Sequence, residues 1–402
     1  MNFNPRVIPI HNEADSRAEL EKIGCDPAGL AIMTKKALFT VVKLEQVPAK
    51  AANLLKQTFL AKGGEVAVAR GTADLTIEKT DVLISATAKQ YGLALTQLKM
   101  QPWGLPKVAA AIDSALCGAT IFPHREYRWP QHRLVIRPGR TLVMGILNLT
   151  PDSFSDGGKY NRLDAALRQA EKLIEEGADI LDIGAESTRP YGAEKISADI
   201  ELERLMPALE KILAFSSVPV SVDTYKAAVA EEAVKCGVHM INDIWGLQHD
   251  PDMAKVAAAY SVPVIVTHNQ HGAEYSGDIM GHITAFLRRS VQLATTAGLD
   301  EQKVIIDPGI GFGKTPAQNL QVLSRLAELK SLGCPILLAS SRKKFISDVL
   351  GGLPAEEREE GTAASVACGI ISGANIVRVH DVKTMVRVSR MTDAIKGGQF
   401  DE

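Results

Sequence analysis

From Thr141 onward, short apolar runs end again and again on a side chain that can do chemistry. Asn148 follows Leu142–Leu147, Asp182 lies in Ile180–Ile183, and Asp223 follows Val218–Val222. Asn242 with Asp243 closes Met240–Asn242, His268 follows Val262–Thr267, and Asp307 follows Val304–Ile306. Ser340 with Ser341 follows Pro335–Ala339, and Arg378 with His380 ends Ile376–Val379. Carboxylates and amides gathered with Lys343 suit a flat heterocycle. A carboxylate accepts two parallel hydrogen bonds from an amino-pyrimidine edge, and an Asn both donates and accepts. Arg378 and His380 beside Asn148 suit a phosphate or pyrophosphate, with a hard metal held by oxygen ligands. Heterocycle on one side and anion on the other point to group transfer with pyrophosphate leaving.

The elements that must position these residues alternate regularly, a strand-like run with a helical stretch, eight times over. Arg162–Glu176 carries apolar positions at Leu163, Ala166, Leu167, Ala170, Leu173 and Ile174, and Gly177 stops it. Ser197 is a plausible N-cap for the next helix, with Asp199 and Glu201 against its positive end. Such a run fits a (β/α)8 TIM barrel of about 250 residues, which puts all the strand ends on one rim. A doubly wound open sheet is the alternative. Any single Asp there is as readily an ordinary helix cap, but eight polar termini in succession are not.

Met144–Tyr160 (MGILNLTPDSFSDGGKY) reads as the first strand delivering a polar loop to that rim. Pro308–Thr315 (PGIGFGKT) resembles a P-loop, yet Pro308 stands where the first glycine is needed, so the glycines are expected to let the backbone pass close to a ligand at Asp307. Ahead of the barrel, Ala37–Leu44, Glu65–Arg70 and Asp81–Ala86 read as strands, and Pro48–Ala61 and Lys89–Leu98 as helices. The expected organisation is a small α/β domain over residues 1–120, a packing or oligomerisation unit, then a linker over 121–140 and a barrel over 141–402. Phe122–Gly139 is basic and aromatic, but its three prolines suit a linker wrapping the barrel floor better than a nucleic-acid patch.

Composition narrows the classes. The 402 residues are 46% apolar and 23% charged with net charge -2, which gives no general attraction to nucleic acid or anionic membrane. No apolar run approaches the roughly 18 residues of a membrane span, and the N-terminus lacks the pattern of a signal peptide, so a cytoplasmic protein is expected. Five scattered cysteines without a C-x-x-C pair read as reduced thiols.

The residues also carry a resemblance. NLTPDSFSDGG from Asn148, DIGAESTRP from Asp182, SVDT from Ser221, INDI from Ile241, DPGIGFGK from Asp307, SRK from Ser341 and RVHD from Arg378 are similar to dihydropteroate synthase, from Thr141 to about Ile395. That family joins 6-hydroxymethyl-7,8-dihydropterin diphosphate to p-aminobenzoate and releases pyrophosphate. The resemblance implies that Asp182, Asp223, Asn242, Asp307 and Lys343 hold the pterin. It implies that Asn148, Arg378 and His380 hold the pyrophosphate, with Mg2+ near Asn148. Phe154 and Asp156 on the first loop, with Thr188, Arg189 and Pro190 on the second, would close over the p-aminobenzoate pocket, with Ser341 near that substrate's carboxylate and Gly157 and Gly158 as hinges. A homodimer is common in the family. Two departures stand out: Ala185 replaces a common glycine, and His268–Gly272 reads HNQHG. A methyltetrahydrofolate-corrinoid methyltransferase and a non-catalytic pterin-binding paralogue are the alternatives; the first has no use for the SFSDGG loop.

Overall fold

The computed structural model describes residues 3–149, 159–187 and 195–398, with side chains from residue 163 in the second span. The chain forms two compact units, Met1–Thr120 and Ile121–Glu402.

In the first unit, α1 (Glu13–Ile23) and α2 (Pro27–Ala37) precede β1 (Phe39–Pro48), α3 (Ala49–Leu60), β2 (Glu65–Val68), β3 (Lys79–Thr87), α4 (Ala88–Leu98) and α5 (Leu105–Thr120). The sheet order is β1-β3-β2, with β3 antiparallel to both neighbours. β1 and β2 are therefore parallel, joined over β3 by α3. Alternation along β3 sends Val82, Ile84 and Ala86 to a core with Leu55, Phe59 and Tyr91, while the other face stays open. Tyr91 bonds inward: its hydroxyl donates to the Ile84 carbonyl at 3.1 Å.

The second unit begins with a hairpin, β4 (Arg125–Arg128) and β5 (Arg133–Ile136), where the sequence suggests a linker. β6 (Leu142–Asn148), α6 (Lys159–Glu175), β7 (Ile180–Gly184), α7 (Ala198–Phe215), β8 (Val220–Asp223), α8 (Ala227–Cys236), β9 (Met240–Asp243) and α9 (Met253–Ala259) follow. Then come β10 (Val264–Thr267), α10 (Ile279–Thr296), β11 (Val304–Asp307), α11 (Pro316–Ser324), β12 (Leu337–Leu338), α12 (Lys344–Val349), α13 (Glu359–Ser372), β13 (Ile376–Val379) and α14 (Val382–Gly397). The eight strands β6–β13 are parallel, and a bridge between Ile306 and Ile336 closes the sheet into a TIM barrel. Ser197 caps α7, its hydroxyl accepting from the Ile200 amide.

The pleat explains how the strands carry both plug and site. Leu142, Met144, Ile180, Met240, Ile265, Ile305, Leu337 and Ile376 form one cluster inside the barrel, sealed by Tyr127, Leu134 and Ile136 of the hairpin. Residues of the other parity, such as Val143, Leu181, Val220 and Val377, pack outward against the helices. Two positions beyond an inward apolar residue the next inward residue is polar: Ile180 leads to Asp182, Met240 to Asn242, Ile305 to Asp307 and Ile376 to Arg378.

Candidate active site

At the rim these inward residues form one network. Arg378 donates through Nε to Asp182 Oδ2 and through Nη2 to Asp223 Oδ2, both at 2.6 Å. Asn242 Nδ2 donates to the same Asp182 oxygen at 2.9 Å. Parallel register sets Asp182 beside Ser221 and Asp223 beside Asn242. The network spends one oxygen of each carboxylate. Asp182 Oδ1, Asp223 Oδ1 and Ser221 Oγ are buried without a hydrogen-bond partner among the described residues. A buried acceptor left unmade costs about 1–3 kcal/mol, so three of them on two neighbouring strands make a site built to receive donors.

Around this floor the charges are tuned by burial. Burial pushes the Asp223 carboxyl well above its ordinary range, against the pull of Arg378. Asp307, whose Oδ1 accepts from the Gly309 amide at 2.7 Å, is pushed up to about 6 by burial. Lys343 is lowered to about 8 by burial and by the positive charge of Arg378. Its ammonium lies 4.2 Å from the Phe312 ring centroid, a cation–π contact. Phe312 packs with Tyr225, Ile244 and Trp245 as an apolar wall.

The glycines of PGIGFGKT serve this wall rather than a phosphate. A Cβ on Gly309 would fall 1.8 Å from the His268 carbonyl oxygen, and one on Gly311 2.9 Å from Lys343 Cδ. Both have positive φ. At both positions the backbone passes close to protein groups, leaving no room for a side chain. Lys314 at the end of this loop is buried and donates to His268 Nδ1 at 2.9 Å and to the Gly309 and Phe312 carbonyls at 2.9 and 3.0 Å. It braces the turn.

The remaining strand-end residues divide by parity. Asp243 accepts from the Trp245 and Leu247 amides at 2.8 and 2.7 Å and Ser340 bonds Ser365 at 2.8 Å, so both hold turns and helices. Ser341 Oγ lies 3.0 Å from His380 Nδ1 and accepts from the His380 amide at 3.2 Å. His380 thus faces Ser341, while Arg378 reaches into the floor: the two buried carboxylates draw the guanidinium away from its sequence neighbour. Asn148 is half-buried at the end of β6, in register with Gly184. Phe154, Asp156, Gly157 and Gly158 of the first loop, and Thr188, Arg189 and Pro190 of the second, lie outside the described residues. Of the departures, Ala185 is buried in the outer core, and the His271 ring sits 4.8 Å from that of Trp245.

Sequence reasoning missed Ser221 and Phe312 as site residues. Ser221 carried a usable signal, since it sits one inward step before Asp223. Among the described residues no group of three or more His, Cys, Asp or Glu is arranged to hold a metal ion.

Comparison with known proteins places these residues in a shared frame. Residues 144–380 match the family of pterin binding enzymes. The chain is 55% identical over 261 residues to a dihydropteroate synthase of Bacillus subtilis (strain 168), covering 64% of this chain and 90% of that protein. It is similar in structure to dihydropteroate synthase from Clostridium difficile in the presence of pteroic acid, with TM-score 0.62 and 50% identity over 64% of this chain and 97% of that one. A probable bifunctional folylpolyglutamate synthase/dihydropteroate synthase of Halobacterium salinarum is 38% identical over 390 residues, which is 96% of this chain and 46% of that protein. That last match extends over the first unit as well as the barrel.

Proposed function

The chain belongs to the dihydropteroate synthases, pterin-binding transferases of folate biosynthesis, and from that premise we propose which residues perform each part of the reaction. The pterin ring of the diphosphate substrate lies on the floor of Asp182, Ser221, Asp223 and Asn242. Its amino-pyrimidine edge donates to Asp182 Oδ1 and Asp223 Oδ1, the acceptors that have no hydrogen-bond partner among the described residues. This is the observation that carries the assignment. Lys343 and Asp307 complete the ring's surroundings, with Phe312 as an apolar wall.

Asn148, Arg378 and His380 take the pyrophosphate. A guanidinium has five N–H groups; two of those on Arg378 go to the floor, so its remaining edge can serve the anion and tie the two subsites together. Mg2+ fits here as an ion carried by the diphosphate, because it prefers phosphate oxygens and water with one or two protein ligands, and Asn148 can supply one amide oxygen. When bound, it neutralises charge on the leaving group. The C–O bond of the methylene breaks with its electron pair going to the diphosphate, the arylamine nitrogen forms the C–N bond, and its surplus proton passes to water. Positive charge developing on the methylene is stabilised by the preorganised carboxylates beneath it. Phe154, Asp156, Thr188, Arg189 and Pro190 hold p-aminobenzoate in line, with Ser341 near its carboxylate.

The chain acts as a homodimer in the cytoplasm. An apolar groove of about 540 Å³ between α11, α12 and α13, with Leu320, Val349, Leu350 and Ile371 exposed, supports self-association, and five free cysteines suit a reducing compartment.

Mixing the purified chain with pterin diphosphate, p-aminobenzoate and Mg2+ tests the assignment through pyrophosphate release. Asp223→Ala is expected to lose pterin binding. If that variant binds pterin diphosphate like the parent, the floor is not the pterin site.

A further inference from the structure

Beyond the floor lies a second buried charge cluster that none of the roles above uses. Lys226, between β8 and α8, places Nζ 2.5 Å from Glu186 Oε2 and 2.6 Å from Glu201 Oε2. The two carboxylate side chains are 5% and 1% exposed, and that of Lys226 17%. Tyr225 donates from its hydroxyl to the other Glu186 oxygen at 3.0 Å, and its ring belongs to the wall of Ile244 and Phe312. Glu186 stands just after β7, and Glu201 in the first turn of α7. The two are the roots of the second loop.

We propose that Lys226 is a positioning residue for p-aminobenzoate: its ammonium ties together both roots of segment 187–197 and fixes them to the end of β8, the strand that carries Asp223. The proposal rests on the reading that Thr188, Arg189 and Pro190 serve p-aminobenzoate. A helix-start glutamate usually stays in solvent near the positive helix end. Glu201 is instead buried against a lysine from the next βα unit. Two buried carboxylates facing each other repel, and one ammonium between them turns that repulsion into a rigid three-point contact. The pterin floor is held separately, by strand pairing and by Arg378. Loosening the roots therefore misplaces one substrate and spares the other.

The test uses the full chain and steady-state kinetics with both substrates. Lys226→Met combined with Glu201→Gln leaves no pair of bare carboxylates. It is expected to raise KM for p-aminobenzoate between about ten- and a hundredfold, the size of effect that small misplacements produce. Kd for pterin diphosphate is expected to stay as in the parent. Lys226→Arg, which can still bridge both carboxylates, should restore most of the loss. Glu201→Gln alone, which keeps an acceptor, should raise the same KM less, and it serves if the double variant does not fold. Weakening of both substrates together, or an unchanged KM for p-aminobenzoate in a folded variant, overturns the proposal. Arg189→Ala measured alongside separates the two layers. A raised KM there with unchanged Lys226 variants removes the clamp, and an unchanged KM there removes the reading beneath it.

Discussion

The two units of this chain treat charge differently. In Met1–Thr120 the buried polar residues among those described are Ser16, Thr34, Thr58, Thr72 and Thr80, all uncharged. In the barrel they include Asp182, Glu186, Glu201, Asp223, Asp243, Asp307 and Lys314, with His239 and His268. The first unit has unpartnered buried atoms too, on Thr72 and Gln101, but they stand apart; those on Asp182, Ser221 and Asp223 share two neighbouring strands. Burying a charge is expensive unless it is paired, and leaving a buried acceptor unpaired adds to that expense. Most of the barrel's buried charges are paired within the protein, as Asp243, Lys314, Glu186 and Glu201 are; the open acceptors gathered on Asp182, Ser221 and Asp223 are what set the barrel apart from the first unit.

The largest test of that contrast is Arg378→Ala. It leaves Asp182 and Asp223 buried with no cation between them, which costs about 3–5 kcal/mol of stability. It also removes a charge-stabilising group from the reaction, for a loss of about a hundred- to a thousandfold in kcat. Pyrophosphate release and a thermal melt on the same sample measure both. A variant that melts like the parent would mean that the floor does not depend on its ion pairs.

A smaller effect is expected from pH. Burial raises the Asp223 carboxyl, and pterin N–H donors prefer its ionised form, so binding expels a proton and affinity tightens as pH rises through the raised pKa. The slope is at most about tenfold per pH unit, one proton's worth. Titration calorimetry of pterin diphosphate from acid to neutral pH reads it directly, and a flat Kd would show that Asp223 stays ionised in the free enzyme.

At the opposite end of the barrel, just before β9, a neutral histidine gives a third test. His239 Nδ1 accepts from the Val220 amide at 3.1 Å, and its ring meets those of His132 and Trp129. Burial, then the nearby His132, lowers it to about 4 from 6.5. Above pH 6.5 both folded and unfolded states are neutral there, so the group contributes nothing. As pH falls from about 6.5 to about 4 only the unfolded state takes up the proton, and about 3 kcal/mol is lost. The buried carboxyls Asp223, Asp243 and Asp307 titrate in the same window with the opposite sign, so the test is a difference: as pH falls, the urea midpoint of His239→Gln should gain on that of the parent by about this amount.

Much of the barrel was legible because its signals are local. Short, nearly continuous apolar runs and helical stretches stopped by glycine are written within a few residues of each other, as at Leu163–Gly177. The site was legible as a set of polar strand ends, but sorting them needed parity. Asp243 and Ser340 look as good as Asp182 on the page and point the other way. The partners of Arg378 lie 196 and 155 residues away at Asp182 and Asp223, so no local signal shows that it also braces the floor. The hairpin at residues 125–136 was hidden by its prolines, although Tyr127, Leu134 and Ile136 supply an apolar plug.

The smallest expected effect on turnover comes from damaging the first unit. Phe59 is fully buried there, edge-on to Tyr91 with ring centroids 5.3 Å apart. Phe59→Ala should cost that unit about 3–5 kcal/mol, enough to unfold a domain of ordinary marginal stability. The barrel has its own core, and the Bacillus subtilis relative matches 64% of this chain over 90% of its own length, which leaves no room in it for a counterpart of the first unit. Turnover of Phe59→Ala should therefore equal that of the parent, while a calorimetric scan loses one transition and keeps the other. A fall in kcat with the barrel transition unchanged would break the contrast drawn above. It would mean that a unit whose buried polar residues are all uncharged contributes to catalysis.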